Sequence, residues 1–154
     1  MKSTERGIAV PREAIVNVVN TFANAFDLKD WHGLKAVLAN DIECDYTSLR
    51  GVKDVVTREV YVGKRVLALN HLRTHHLMAN HQVTVGDETA TCIASAMIWR
   101  SDDDRSFNTH AVYRFGLRRG PGGWVIHAIR QEVLWNEGDA SIHAGARTEA
   151  HTES

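Results

Sequence analysis

The chain has 154 residues, the size of one domain, and a chain of this length buries about 70% of the surface that its unfolded form exposes. Hydrophobic residues make up 44% and charged residues 24%, which excludes a disordered or fibrous protein. The formal net charge is −1 and no basic stripe is present, so we expect no nucleic-acid partner. Because the sequence has no long apolar run and its 2 cysteines lack CxxC spacing, we expect no membrane partner and a reducing, cytoplasmic location.

The first part of the sequence predicts two helices. Pro11 suits the first turn of a helix, and an apolar stripe at helical spacing continues to about Leu28. This stripe consists of Ile15, Val18, Val19, Phe22 and Phe26. Asp30 can cap a second, shorter helix, which we expect to end around residues 39–41.

A short strand and a third helix are predicted next. Residues 42–47 alternate in character, which is typical of a strand, and Arg50-Gly51 closes it. From Val52 to about Leu69 the apolar spacing is again helical, with Gly63 as a candidate break. Three helices are therefore expected before the long strands begin.

The rest of the sequence predicts a sheet made of four long β-prone segments separated by turn signals. The segments are residues 73–85, 88–100, 106–119 and 124–135. Such separators predict an antiparallel meander, and strands of this length predict a strongly bent sheet, with Gly116 as a candidate bend. The expected fold is α+β: a curved, mostly antiparallel sheet closed by three helices around a pocket.

One folded domain is expected, covering residues 10–137. Residues 1–9 form a predicted N-terminal arm, and residues 138–154 form a polar tail that we expect to be mobile or draped over the surface. The long strands carry apolar residues on both faces, and one face would fill the pocket. Since the other face needs cover, a homo-oligomer, either dimer or trimer, is expected.

Three polar residues stand at positions where pocket residues are expected. Asp27 ends the first helix, Tyr46 lies on the first strand and His76 opens the first long strand, with Asn80 on the same face by strand parity. An aspartate beside an imidazole is a general-base arrangement, and a tyrosine hydroxyl can stabilise an enolate. Spacing alone also allows purely structural roles for these residues.

Four short motifs occur in a recognisable order. They are Phe26-Asp27-Leu28-Lys29-Asp30-Trp31, Asp45-Tyr46-Thr47-Ser48, Leu72-Arg73-Thr74-His75-His76 and Gly122-Gly123-Trp124. Together they resemble the scytalone dehydratase and SnoaL-like family of the nuclear-transport-factor-2-like superfamily, whose domains are cone-shaped. The resemblance implies that Asp27 orients His76, that His76 accepts and donates the proton, and that Tyr46 polarises the substrate carbonyl.

Three positions depart from the dehydratase pattern. Phe26 stands where the dehydratase pattern has a tyrosine. Trp99 falls near the position of the pattern's second active-site histidine, and Tyr113 falls near the position of a polar residue on the next strand of the pattern. We assign these three residues and Asn80 as substrate-binding residues. Since fewer donors remain, the resemblance implies a small apolar cyclic substrate rather than the polyphenolic substrate of the dehydratase.

The expected function is a cofactor-independent, dehydratase-like lyase or isomerase that abstracts a proton next to a carbonyl. Two alternatives stay open: a SnoaL-like polyketide cyclase, and a non-catalytic module for small-ligand binding or oligomerisation. The scattered histidines show neither HExxH nor another paired-ligand spacing, so we expect no metal. No cofactor is expected either.

Overall fold

The structure, a computed structural model, describes residues 11–143. The predicted N-terminal arm and most of the predicted tail lie outside the described residues. The helices are α1 (Pro11–Leu28), α2 (Trp31–Ala36), α3 (Thr47–Arg50) and α4 (Arg58–Leu69), and a 3₁₀ turn covers Ala140–Ile142. The strands are β1 (Leu38–Tyr46), β2 (Val52–Thr57), β3 (Arg73–Val85), β4 (Thr89–Ser101), β5 (Ser106–Gly120) and β6 (Gly123–Gly138).

All six strands form one curved, unclosed sheet in the order β2-β1-β6-β5-β4-β3. Strands β3 to β6 form the predicted antiparallel meander. Strand β1 is antiparallel to β2 and parallel to β6, so the sheet is mostly antiparallel. Helix α1 packs across β3, β4 and β6. The predicted α+β architecture is confirmed. None of the helices within residues 11–143 is long and apolar enough to cross a membrane.

The bend of the sheet depends on irregular pairing between β5 and β6. The register shifts at His110/Ala111 and again at Gly116/Leu117, and such bulges increase local twist. A Cβ atom on Gly116 would lie 3.2 Å from the Cβ atom of Ala128. Glycine therefore permits the close approach of the two strands, and one of the two register shifts lies at Gly116, the candidate position.

Helix α1 buries its apolar stripe against the sheet. The buried members of the stripe are Ile15, Val19, Phe22 and Phe26, whereas Val18 is only partly buried. The ring of Phe22 meets Phe115 of β5 edge to face, with 5.4 Å between the ring centroids. This contact fixes the helix across the sheet and places its C-terminal end, with Asp27, beside β3.

The predicted helix from Val52 to Leu69 is wrong in its first third. Val52–Thr57 forms the edge strand β2, because its β-branched residues pair with β1. The helix begins only at Arg58, where the Thr57 side chain accepts a hydrogen bond from the main-chain N–H of Val60, at 3.2 Å. Gly63 does not break it. The second helix also ends earlier than predicted, at Ala36, so that β1 begins at Leu38.

The described start of the C-terminal tail is folded rather than mobile. Asp139 accepts a hydrogen bond from the main-chain N–H of Ser141 at 2.9 Å, which caps the 3₁₀ turn. Ile142 is buried and packs against Leu49 and Phe107. A single isoleucine in a polar stretch has no apolar period, so the pattern carried no signal for this contact.

Candidate active site

A small cavity lies between the helices and the inner face of the sheet. Its apolar wall consists of Phe26, Leu49, Leu69 and Ile98. The centre of a water-sized sphere can occupy about 30 Å³ of the cavity, which is enough for one or two water molecules. A cyclic substrate therefore requires the lining side chains to move apart from this conformation. The polar lining comes from seven different elements and from His143, which follows the 3₁₀ turn.

Asp27 and His76 are joined by two hydrogen bonds. One carboxylate oxygen of Asp27 accepts from the main-chain N–H of His76 at 2.7 Å, and the other lies 2.7 Å from ring Nδ1. Thr74 donates a third hydrogen bond to the carboxylate at 3.1 Å. Because a carboxylate can only accept, Nδ1 carries the proton, and Nε2 is left as the basic nitrogen.

The imidazole of His76 lines the cavity and is almost fully buried. Its ring stacks on Phe26, with 5.2 Å between the centroids and 17° between the planes. Burial lowers the pKa of His76, the hydrogen bond and charge of Asp27 oppose this, and the Arg100 charge lowers it further. The net shift is downward, so the ring is neutral at neutral pH and can accept a proton.

Lys29 holds the end of α1 in place. This residue has a left-handed φ of 56°, and its Nζ atom donates to the main-chain carbonyls of Leu69 at 2.8 Å and Leu72 at 2.6 Å. These bonds tie the end of α1 to the connection between α4 and β3. The carboxylate of Asp27 is thereby held at the start of β3, opposite His76.

Tyr46 lines the cavity as predicted, and its hydroxyl pairs with that of Tyr61, a tyrosine that the sequence analysis did not single out. The hydroxyl groups of Tyr46 and Tyr61 lie 2.7 Å apart, and one donates to the other. The guanidinium carbon of Arg65 lies 4.9 Å from the Tyr46 ring centroid and 4.2 Å from that of Tyr61. Burial raises the pKa of Tyr61 strongly, so its hydroxyl remains protonated.

Tyr113 also lines the cavity, as predicted, and its hydroxyl is oriented by Gln131. The side-chain N–H of Gln131 donates to the Tyr113 oxygen at 2.8 Å. The tyrosine proton is therefore free to be donated to another group. Burial raises the pKa of Tyr113, which keeps this donor protonated. The side-chain oxygen of Gln131 is buried and has no hydrogen-bond partner among residues 11–143.

Arg100 of β4 is a cavity residue that the sequence did not indicate. Its Nη1 atom donates to the Thr109 hydroxyl at 2.8 Å, and that hydroxyl donates in turn to Asn136 at 2.8 Å. Burial lowers the pKa of Arg100 to about 10, so the group is still charged at neutral pH. The cavity thus combines a neutral imidazole, hydroxyl donors and buried cations. Within the described part of the chain, no cluster of three metal-binding side chains occurs.

A family model, the SnoaL-like domain, matches residues 10–130. The chain belongs to the SnoaL-like family. A curated relative is the scytalone dehydratase of Colletotrichum orbiculare, which is 24% identical over 152 residues, covering 86% of this chain and 78% of that enzyme. The family membership inferred from the four motifs is thereby confirmed.

Solved structures show the same fold at low identity. The Kfla4162 protein of Kribbella flavida matches with a TM-score of 0.79 and 20% identity, over 85% of this chain and 95% of that chain. The hexachlorocyclohexane dehydrochlorinase LinA-type3 of Novosphingobium barchaimii matches with a TM-score of 0.67 and 17% identity, over 86% and 92%. The SnoaL-like chain is thus similar to enzymes named for the elimination of water or of hydrogen chloride.

Two residues expected to bind substrate do not reach the cavity of this SnoaL-like domain. Asn80 is exposed and has a left-handed φ of 57°, within an irregular stretch between Ala79 and Gln82. Because a bulge interrupts the two-residue alternation of a strand, counting from His76 put Asn80 on the wrong face. Trp99 lies on the opposite face of β4 to the cavity, beside His75, with 6.0 Å between the rings.

Two cavity residues that the sequence analysis missed, Arg100 and Arg65, have a regular spacing to buried neighbours. Arg100 lies two residues after the buried Ile98 on β4, so strand parity places both side chains on the inner face. Arg65 lies four residues after Tyr61 on α4 and therefore on the same side of that helix. A buried arginine is uncommon, and an arginine in such a pattern is usually taken for a surface residue.

Proposed function

We propose that this SnoaL-like protein is a cofactor-independent lyase or isomerase of the dehydratase-like kind, acting on a small cyclic substrate. The observation that carries the proposal is that one carboxylate, Asp27, accepts hydrogen bonds from both the main-chain N–H and the ring Nδ1 of His76. This arrangement fixes the ring tautomer and leaves Nε2 as the basic nitrogen of a ring that lines the cavity.

The proposed reaction begins with proton transfer from carbon to His76. Nε2 takes a proton from the carbon next to the substrate carbonyl, and the electron pair of the broken C–H bond forms an enolate. The imidazolium that results is stabilised by the charge of Asp27. In an elimination, the enolate collapses with loss of a β-hydroxyl, which leaves as water after taking the proton from His76. In an isomerisation, the proton returns to a different carbon.

The tyrosines are the proposed donors to the carbonyl oxygen. Tyr113 accepts a hydrogen bond from Gln131 and so has its own proton to donate. Tyr46 and Tyr61 share one hydrogen bond, and the second hydroxyl proton of this pair remains available. A preorganised donor of this type stabilises charge that develops on oxygen in the transition state. We propose that Tyr46 and Tyr113 both serve this purpose.

The relatives support the class of reaction. Loss of water from a hydroxyketone and loss of hydrogen chloride from a chlorinated ring both start with removal of a proton near a leaving group. A scytalone dehydratase and a hexachlorocyclohexane dehydrochlorinase are among the similar proteins. A cavity base with a fixed tautomer meets the chemical requirement common to both eliminations.

Incubation with a panel of cyclic hydroxyketones in deuterated water tests the proposal. We expect either deuterium incorporation next to the carbonyl or loss of water. Mass spectrometry and NMR measure both. His76→Ala should abolish the enzyme-dependent signal. His75→Ala is the matched control, because His75 is the adjacent residue, is exposed and lies on the opposite face of β3. Equal exchange by the wild-type protein and His76→Ala would refute the assignment of the base.

A further inference from the structure

Three guanidinium groups line the cavity, those of Arg50, Arg65 and Arg100. Among residues 11–143, the lining includes neither aspartate nor glutamate. Within residues 11–143, none of the three forms an ion pair with a carboxylate. Asp27 lies behind His76 and is already engaged by three hydrogen bonds from β3.

Arg50 and Arg65 place two like charges near one ring, that of Tyr46. Their guanidinium carbons lie 5.6 and 4.9 Å from the centroid of this ring. Burial lowers the pKa of Arg50, and the charge of Arg65 lowers it further. The Nε atom of Arg50 is buried with no hydrogen-bond partner among the described residues. The charge of Asp54 raises the pKa of Arg50, but Asp54 forms its ion pair with Lys64, at 3.9 Å.

Arg100 is the most deeply buried of the three arginines. Only 3% of the residue is exposed, and its two hydrogen bonds to groups in the described residues, the Thr109 hydroxyl and the Phe107 carbonyl, both use Nη1. Nε and Nη2 can therefore donate to a ligand. Its charge acts on both His76 and Tyr113, so a ligand group bound at Arg100 would lie beside the proposed base and carbonyl donor.

Such an arrangement is costly for the free protein. A buried charge without a counter-ion loses its favourable hydration, and a second charge of the same sign nearby adds repulsion. A bound anion would remove both costs. The planar guanidinium fork donates two parallel hydrogen bonds to a carboxylate, which makes arginine the usual residue for this recognition.

We propose that the cavity binds an organic carboxylate among the guanidinium groups of Arg50, Arg65 and Arg100, so that the cyclic substrate is a carboxylic acid anion. The identity of the substrate as a reactant rests on the function proposed above, whereas the binding of the anion does not. The small cavity favours a carboxylate over a bulkier phosphate ester. This substrate class replaces the neutral, apolar molecule expected from the sequence.

Benzoate and benzamide form a suitable pair of probes, because they are closely similar in size and differ in charge at pH 7.5. We expect calorimetry at fixed ionic strength to show that the wild-type protein binds benzoate at least about tenfold more tightly than benzamide. Arg100→Gln and Arg65→Gln should each reduce this preference to about twofold or less. Arg114→Gln is the matched control, since Arg114 is an exposed arginine of β5 that pairs with Glu132 at 3.0 Å.

Thermal unfolding shows whether the variants remain folded. Removal of an uncompensated buried cation should leave the melting temperature of Arg100→Gln unchanged or raise it, and Arg100→Lys should retain part of the preference for benzoate. If Arg100→Gln does not fold, Arg65→Gln and Arg100→Lys carry the test. Equal affinity of the wild-type protein for benzoate and benzamide would overturn the carboxylate site.

The outcomes separate this inference from the proposed function. A preference for benzoate that depends on the arginines would uphold the anion site even if no exchange of deuterium were found. Exchange that depends on His76, without any preference for benzoate, would uphold the base and overturn the anion site. If Arg100→Gln lowered only kcat and left benzoate affinity intact, the arginine would act on the enolate, which also contradicts a ground-state carboxylate site.

Discussion

The carboxylate of Asp27 holds the main-chain N–H and the ring Nδ1 of His76 at the same distance, 2.7 Å. The first bond fixes the start of β3 against the end of α1, and the second fixes the imidazole. A single side chain therefore determines both where the backbone of His76 lies and how its ring is turned. Loss of the Asp27 charge should accordingly affect orientation and charge stabilisation together.

We expect His76→Ala to lower kcat by about 10² to 10⁴-fold, because it removes the base. Asp27→Asn should keep the fold and lose much of the rate, since the amide can still accept a hydrogen bond but supplies no negative charge for the imidazolium. The double variant should be scarcely slower than His76→Ala, because groups that act as one unit are non-additive. Steady-state kinetics check this; additive losses would mean that the two residues act independently.

The rate should rise with pH through a pKa below 6.5, the ordinary value for histidine. His76 must be neutral to accept a proton, and burial lowers its pKa more than Asp27 raises it. The rate should therefore already be on its plateau at neutral pH. In Asp27→Asn the stabilising charge is gone, so the rise should move to still lower pH. A rise above pH 6.5, or an upward shift in the variant, would contradict a base of this kind. The apparent pKa belongs to the coupled pair.

Removal of the two tyrosine hydroxyls distinguishes their contributions. Tyr113→Phe and Tyr46→Phe should each lower kcat by less than His76→Ala, because each removes one of two proposed donors to the carbonyl oxygen. KM should change little, since a donor to developing charge acts mainly in the transition state. Tyr61→Phe tests the support that Tyr46 receives: because Tyr61 bonds to Tyr46 but does not line this cavity, this variant should lower kcat by less than Tyr46→Phe. A KM effect without a kcat effect would instead indicate ground-state binding.

The fold was predictable where its signals are local. Strand β3 matches its predicted bounds because the turn at Gly86-Asp87 and the alternation before it lie within the segment itself. Strand β2 was not predictable in this way. Val52, Val55 and Val56 fit a helical spacing as well as a strand, and only their pairing with the distant strand β1 decides between the two.

The candidate site was predictable where a motif or a parity rule held. Asp27 and His76 came from motifs at the end of α1 and the start of β3, both of which the structure places as predicted. Parity failed for Asn80, because a bulge changes the alternation without any clear mark in the sequence. Trp99 lies between the cavity residues Ile98 and Arg100, and a difference of one residue exchanges the two faces of a strand.

Phe22 should be a major contributor to stability. It is 1% exposed and contacts both Phe26 and Phe115 edge to face. We expect Phe22→Ala to lower the free energy of unfolding by about 3 to 5 kcal/mol, through lost contacts and the cavity left behind. Urea denaturation measures the change. Leu28→Ala on the same helix is the control. Because Leu28 is 75% exposed, the urea denaturation midpoint of this variant should hardly change. An unchanged midpoint for Phe22→Ala would contradict the packing of α1.

The outer face of the sheet should form the contact of a homo-oligomer. A row of paired residues, Leu77, Met97, His110 and Trp135, crosses four strands. Leu77 and Trp135 are 50% and 52% exposed, and an apolar row of this length is rarely left uncovered. We expect sedimentation to show a dimer or trimer at micromolar concentration and Met97→Lys to dissociate it, because a buried charge opposes association. Leu67→Lys, at an 82% exposed position of α4, is the control and should leave the oligomer intact. A monomeric wild-type protein would refute this contact.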